Sequence, residues 1–306
     1  MAIQQANPAP SVAISGTPQT PQTPQAPLVT PPGEPIRRGD PPTWLLIALG
    51  VGYIVAFAAL AFWPGATLIE RLRALDGGIC AQLPGHSFFP GGQQLPLCAR
   101  NTGIYLGFAS TFLVLLATRR IRSSQLPGLL VGVILGLAVL FMAVDGFNSL
   151  FLDLRLPHLY EPHNLLRLAS GLGTGTAMAA FVVPVTNGLL WRMDDERSSF
   201  GSVRQLAVML PVLALAFLAV ASQAPWLLYP IALLSSAGLL MALASVNLVF
   251  ILGITNTIWR FQRWRQLLPI FTLTVILAAL ELMALFLLKA TVLHALAAQS
   301  LPTAPH

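Results

Sequence analysis

The sequence predicts an all-α fold: a polytopic integral membrane helical bundle of about seven spans, with the N-terminus cytoplasmic and the C-terminus extracytoplasmic. Three observations predict it. Hydrophobic residues make up 55% of the 306 residues and charged residues only 9%, against about 25% charged in a soluble domain. Apolar runs of the roughly 20 residues that a bilayer crossing requires recur along the chain, and mean hydropathy is +0.73. The basic residues, 17 in all, sit in short connections beside those runs and fall unevenly on alternate sides.

Residues 1–42 form the first segment, a Pro-rich tail with the repeat TPQTPQTPQ from Thr17 to Gln25. Such composition buries too little apolar surface to offset ordering entropy, so the tail reads as disordered and cytoplasmic. The run from Thr43 to Trp63 has no small-residue cleavage site and reads as a signal anchor. Further spans are expected at about 101–118, 126–147, 165–190, 205–222, 226–255 and 266–293. Trp63, Trp191, Trp226, Trp259 and Trp264 lie near span ends, as interfacial anchors do. Residues 43–190 read as a membrane core with an outer cysteine loop, and 191–306 as a C-terminal membrane extension.

Charge sets the orientation. Arg37, Arg38, Arg119, Arg120, Arg122, Arg192, Arg197, Arg204, Arg260, Arg263 and Arg265 fall on one side. Arg71, Arg73, Arg100, Arg155, Arg167 and Lys289 fall on the other. The side with the excess is the cytoplasmic one, which points to the inner (plasma) membrane. The formal charge of +6 is thereby accounted for. No basic patch with interleaved aromatics lies in a soluble region, so nucleic acid is not an expected partner.

Glycines recur at four-residue spacing: Gly103 and Gly107 in the second span, Gly128, Gly132 and Gly136 in the third, Gly171 and Gly175 in the fourth. Small residues one turn apart let helix backbones approach closely in lipid. The second to fourth spans are therefore expected to form the packed core. The fifth to seventh, richer in Leu and Ala, are expected to form a peripheral layer.

The run Gln94-Leu-Pro-Leu-Cys98-Ala-Arg100-Asn101-Thr-Gly103-Ile-Tyr105-Leu-Gly107, with Asp145-Gly146 and Asn164-Leu-Leu-Arg167-Leu-Ala-Ser-Gly171 after it, resembles the prokaryotic membrane family called domain of unknown function 2085. The resemblance covers about residues 80–175. In that family the first cysteine opens a Cys-His-Gln triplet and the second a Cys-Ala-Arg-Cys run. This chain has Cys80-Ala81-Gln82 and Cys98-Ala99-Arg100-Asn101 instead. If the family pattern is a Cys/His metal site, two of four ligands are missing here. The resemblance implies a shape and a site, and no activity.

Two polar clusters could carry chemistry. The first holds the only two cysteines, Cys80 and Cys98, in a Gly/Pro-rich loop that the charge pattern places outside. Three readings stand open. One is a structural disulfide closing a loop of about 19 residues, which stabilises by roughly 3 kcal/mol through loop entropy. Another is a pair of free thiols. The third is a metal or redox centre with His86, completed by His158 or His163. The second cluster lies between the third and fourth spans: Asp145, Asn148, Ser149, Asp153, Arg155, His158, Glu161, His163, Asn164 and Arg167. Asp145 and Asn148, three apart, share a helix side, as do Asn164 and Arg167. Ionisable groups at membrane depth are usually paired. An Asp145–Arg167 pair is the preferred expectation, with Arg100 as the competing partner. The cluster reads as a cap tying three helices together, as a pocket for an anion, lipid head group or small ligand, or as solvated loop charge. Glu281, the one carboxylate deep in a late span, reads as a proton or cation site, or as hydrogen-bonded to a neighbour such as Asn247.

The candidate ligand-binding residues are thus Arg100, Asn101, Tyr105, Asp145, Asn148, Asn164, Arg167 and Glu281. No Walker loop, dinucleotide fingerprint, H-E-x-x-H, G-x-S-x-G or C-x-x-C-H occurs. No catalytic residue, metal site or cofactor is therefore assigned. The function read from sequence is non-enzymatic: an outer-facing polar site for a small ligand, ion or lipid head group, with transport open. The alternatives are a structural or accessory subunit of a larger membrane complex and an extracytoplasmic thiol or metal centre. The partners expected are the lipid bilayer, a small ligand or ion, and other membrane proteins.

Overall fold

The computed structural model describes residues 40–62, 66–191, 195–255 and 261–299. The Pro-rich tail, Arg37, Arg38, Trp63, Arg192, Trp259 and Arg260 lie outside the described residues. The helices are α1 (Thr43–Phe62), α2 (Leu68–Asp76), α3 (Ala99–Ala117), α4 (Leu129–Asp153), α5 (Asn164–Leu190), α6 (Val203–Ala207), α7 (Met209–Ala221), α8 (Leu228–Ile254) and α9 (Trp264–Gln299). Two short strands, β1 (Ser123–Gln125) and β2 (Asp195–Ser198), pair in parallel.

Five described helical stretches are long and apolar enough to cross a membrane: Leu129–Asp153, Asn164–Leu190, Val203–Ala221, Pro225–Ile254 and Trp264–His294. The expectation of seven included two more. The described apolar stretch of α1, Thr43–Ala59, is shorter. Helix α3 has the length, at 19 residues, but starts with Arg100 and Asn101 and carries buried Thr102, Ser110 and Thr111. Its neighbours explain this composition. A helix sheathed by other helices faces protein, so it needs less apolar surface than one facing lipid.

The sheath is close because of glycine. A Cβ at Gly103 would strike the Leu168 carbonyl, one at Gly171 the Arg100 carbonyl, and one at Gly175 the Ile104 carbonyl. Helices α3 and α5 therefore touch backbone to backbone, as the four-residue spacing predicts. Two expectations need correction. The third-span glycines do not join the seam: nothing lies within 4 Å of a Cβ built at Gly136, Gly132 meets only Phe181 at 3.9 Å, and Gly128 packs instead on the Gly201 carbonyl, 2.6 Å from such a Cβ. Helix α8 is also core rather than periphery, since a Cβ at Gly238 would strike the Tyr105 carbonyl. Leu239 and Ala242 are buried with Tyr105 and Phe108. The outward faces of α4 and α7 carry Leu129, Leu140, Leu210 and Leu215, each more than half exposed, which is the surface a bilayer covers.

One end of the bundle carries the cysteine loop and the other the arginine-rich connections. At the cysteine end, α2 is a short amphipathic helix opened by a capping box: the Glu70 amide donates to Thr67 Oγ1, and the Thr67 amide to Glu70 Oε2 at 2.6 Å. Its buried face, Ile69, Leu72 and Asp76, turns inward. At the other end, Asn187 of α5 donates to the Ile121 and Ser123 carbonyls and so clasps the β1 segment.

Candidate functional site

The cysteine loop is folded by its amides. Gln82 has φ of 56°, a left-handed conformation that a side chain adopts only when its surroundings require it. Its Nε2 donates to the Arg73 and Pro96 carbonyls at 2.7 and 2.8 Å. Gln94 Nε2 donates to the Gln82 carbonyl and to Ser87 Oγ, both at 2.9 Å. Gly91, at φ of 63°, lets its amide reach the Gln223 carbonyl, so the loop is tied to the turn after α7.

These bonds bring Cys80 and Cys98 together at the start of α3. The two are free cysteines, and the bridge among the three open readings is not shown. The Cys98 amide donates to Cys80 Sγ at 3.2 Å. The interaction of the two side chains lowers the Cys80 pKa and raises that of Cys98. The start of a helix adds to the stabilisation of a thiolate. The metal reading loses its third ligand, because His86 faces Asp153 at 3.4 Å instead. Among the described residues, no three His, Cys, Asp or Glu side chains gather to hold an ion.

Behind the thiols lies a group that sequence reasoning missed. Asp76 is 0% exposed; Ser236 Oγ of α8 donates to its Oδ2 at 2.6 Å, and its Oδ1 has no partner. Burial pushes its pKa from 3.8 up to about 7, against the lowering effect of Ser236. Nearby, Lys289 Nζ donates to the Gly77 and Cys80 carbonyls at 3.2 and 2.9 Å. A raised carboxyl pKa means the folded state holds a proton that the unfolded state has released. Stability from this group is therefore full below about pH 4 and is lost as pH rises towards 7. The unfolding midpoint in detergent is expected to fall across that window in the wild type more than in Asp76→Asn. Equal slopes in the two proteins would remove Asp76 from the account.

The second cluster forms where α3, α4 and α5 meet. Asp145, 0% exposed, is its centre. Arg100 Nη2 donates to Asp145 Oδ2 at 2.5 Å, to the Asp145 carbonyl at 3.1 Å and to Ser149 Oγ at 3.1 Å. Tyr160 Oη donates to Asp145 Oδ1 at 2.9 Å. The competing partner, Arg100, therefore takes Asp145, and the preferred Asp145–Arg167 pair does not form. The reason is packing: the α3–α5 seam sets Arg100 beside α4, and Tyr160 occupies the second carboxylate oxygen. Asn148 folds the connection back over the end of α4. Its Nδ2 donates to the Tyr160 carbonyl at 2.8 Å, and its Oδ1 accepts the Leu159 amide at 2.6 Å.

Arg167 is left with one partner. It is 4% exposed, its Nη1 donates to Asn164 Oδ1 at 2.8 Å, and its Nε is buried without a partner. Asn164 in turn donates to the Gly85 and Ser87 carbonyls, both at 3.2 Å, so α5 and the cysteine loop share one polar network. His86 closes the rim. Burial first, and the Arg167 charge second, lower its pKa, while Asp153 opposes them.

Of the eight candidate ligand-binding residues, five gather here: Arg100, Asp145, Asn148, Asn164 and Arg167. Asn101 and Tyr105 turn instead to the thiol side. Asn101 helps to lower the Cys80 pKa, and Tyr105 packs in a cluster with Cys80 and Phe108. Glu281 stands apart in α9, accepting from Asn247 Nδ2 of α8 at 3.0 Å, the partner named from sequence. Tyr160 was missed. Ser149, already named in the cluster, follows Asp145 by four residues, a spacing that places them on one helix face. The Asp76–Ser236 contact spans 160 residues and left no sequence signal.

The comparisons cover this same region. The family model described as a predicted membrane protein (DUF2085) matches residues 80–181, which include the thiols, Arg100, Asp145 and Arg167. An uncharacterized protein of Methanocaldococcus jannaschii is 27% identical over 154 residues, 49% of this chain and 92% of its own length. Another, from Methanothermobacter thermautotrophicus, is 32% identical over 103 residues, 33% of this chain and 81% of its own length. No solved structure matches. The chain belongs to the DUF2085 family of predicted membrane proteins.

Proposed function

We propose that this protein holds a small anion, a carboxylate or a phosphate group, in the polar site between α3, α4 and α5. The proposal places it in the plasma membrane with the seven expected spans crossing, the N-terminus in the cytoplasm and the site facing outward. The lipid bilayer is then its standing partner. The observation that carries the reading is Arg167: a buried guanidinium with one acceptor, an unpartnered Nε and no carboxylate of its own. Buried charge without a partner is costly, and an anion would supply what is lacking. The one fully buried carboxylate nearby, Asp145, is committed to Arg100 and Tyr160. The rim is reachable, since the Arg100, His86 and Asp153 side chains are 21%, 24% and 42% exposed.

The test is a thermal-unfolding series in mild detergent with inorganic phosphate and with acetate. An anion bound only by the folded state raises the midpoint as its concentration grows. At least one of the two is expected to do so in the wild type and to lose the effect in Arg167→Gln. Because that variant removes an unsatisfied buried charge, its midpoint without anion is expected to be no lower than that of the wild type. A midpoint indifferent to both anions, or an equal response in the variant, would sink the proposal.

A further inference from the structure

The arginine-rich end of the bundle encloses a cavity of about 330 Å³ between α3, α5, α8 and α9, within the roughly 300–1,000 Å³ range of small-molecule pockets. Its walls are Phe112, Val183, Leu190, Leu248, Leu267 and Phe271. Three polar residues, Thr186, Asn187 and Ser245, also line the interior, and each is satisfied elsewhere. Thr186 Oγ1 donates to the Val182 carbonyl, and Ser245 Oγ to the Met241 carbonyl, both at 2.8 Å. Asn187 donates to the Ile121 and Ser123 carbonyls and accepts from Trp191 Nε1 at 2.9 Å. A buried water needs two to four polar partners, and these three groups keep no free hydrogen-bond donor for one. The chemistry suits a hydrocarbon occupant.

The opening has a different character. The exposed lining residues are Trp264, Arg265 and Leu268. Trp264 meets Trp191 edge to face, with ring centroids 4.7 Å apart, and Arg122 stacks on Trp191 at 4.0 Å. Arg122 is thus engaged. Arg263 is paired with Asp40 at 2.6 Å. Arg265 makes no hydrogen bond or ion pair with any described residue. An apolar cavity inside a membrane helix bundle, opening on the basic end beside a guanidinium without a partner among the described residues, matches a molecule with a chain and an anionic head.

We propose that this cavity takes one acyl chain of an anionic phospholipid from the surrounding bilayer, with the lipid phosphate paired to Arg265. Basic pockets between membrane helices bind such head groups, and aromatic rings at the opening suit the head-group level of the bilayer. This site lies at the end of the bundle opposite Arg167 and stands independently of the anion site there.

The test uses the full chain, purified in mild detergent. Native mass spectrometry is expected to find one anionic phospholipid per protein. After delipidation, dioleoylphosphatidylglycerol is expected to bind more tightly than dioleoylphosphatidylcholine. Ser245→Phe, whose hydroxyl serves only its own helix, fills the cavity and is expected to weaken both lipids roughly tenfold, the loss when about two methylenes are kept out. Arg265→Gln, on an exposed side chain, is expected to erase the preference for phosphatidylglycerol while leaving phosphatidylcholine unchanged. Arg167→Gln is expected to alter neither. Equal binding of the two lipids by the wild type, an intact preference in Arg265→Gln, or recovery of a free fatty acid or isoprenoid in place of phospholipid would overturn the proposal. Should Ser245→Phe fail to fold, Arg265→Gln decides alone.

Discussion

Asp145→Ala is expected to destabilise the detergent-solubilised protein by about 3–5 kcal/mol, the range for removing one member of a buried ion pair. The size follows from what the carboxylate serves. It accepts from Arg100 and Tyr160, and its backbone carbonyl accepts from Arg100 and Ser149. Only the side-chain bonds are lost in the variant, but they are the charged ones. Arg100 and Arg167 are then left at one helix junction with no buried carboxylate between them. The loss should show as a lower unfolding midpoint, and inorganic phosphate should restore part of it if an anion can enter beside Arg167. A loss below about 1 kcal/mol, the value of an exposed pair, would mean that water already screens the site and that the burial argument fails.

The sequence made the ingredients of that junction visible and left their pairing open. Asp145, Asn148, Asn164 and Arg167 could be grouped because helix periodicity alone puts them near two facing helix ends. Arg100 against Arg167 could not be decided, because the choice depends on how close α3 comes to α4, a tertiary quantity. The cysteines were correctly seen as neighbours in one loop. Whether they meet as a bridge or as hydrogen-bonded thiols turns on the backbone of Gln82 and the position of the Cys98 amide. Glu281 and Asn247 were named together because an intramembrane carboxylate needs a partner and few polar residues lie in the late spans. Asp76 was passed over because it lies in the connection before the cysteine loop, with no polar neighbour in sequence to mark it. Only the packing of α8 over α2 makes it buried. Helix α3 posed the converse problem: it counted as a span by position, while its composition is that of a helix surrounded by protein.

Gly175→Ala and Gly136→Ala separate what the spacing of glycines can and cannot say. Both positions sit in four-residue ladders and look equivalent in the sequence. At Gly175 a new Cβ would meet the Ile104 carbonyl and, at 2.7 Å, the Phe108 amide nitrogen. Those are backbone atoms and cannot swing aside, so α3 and α5 must part. Overpacking of this kind costs about 1–3 kcal/mol, occasionally more, against the roughly 1 kcal/mol that alanine gains over glycine in a helix. A net loss of up to about 2 kcal/mol is expected, the overpacking cost less the alanine gain. At Gly136 nothing lies within 4 Å, so only the gain remains and the variant should be slightly stabilised. Unfolding midpoints of the two variants in the same detergent check the difference in sign. The consequence reaches the anion site, because the same seam fixes Arg100 on α3 against Arg167 on α5: a Cβ at Gly171 would strike the Arg100 carbonyl itself. Gly175→Ala is therefore expected to weaken the phosphate or acetate response as well as stability, whereas Gly136→Ala leaves that response intact. A Gly175→Ala protein with wild-type stability and an undiminished anion response would show that the seam can yield without moving the arginines, and that the site is positioned by its own hydrogen bonds rather than by the glycine contact.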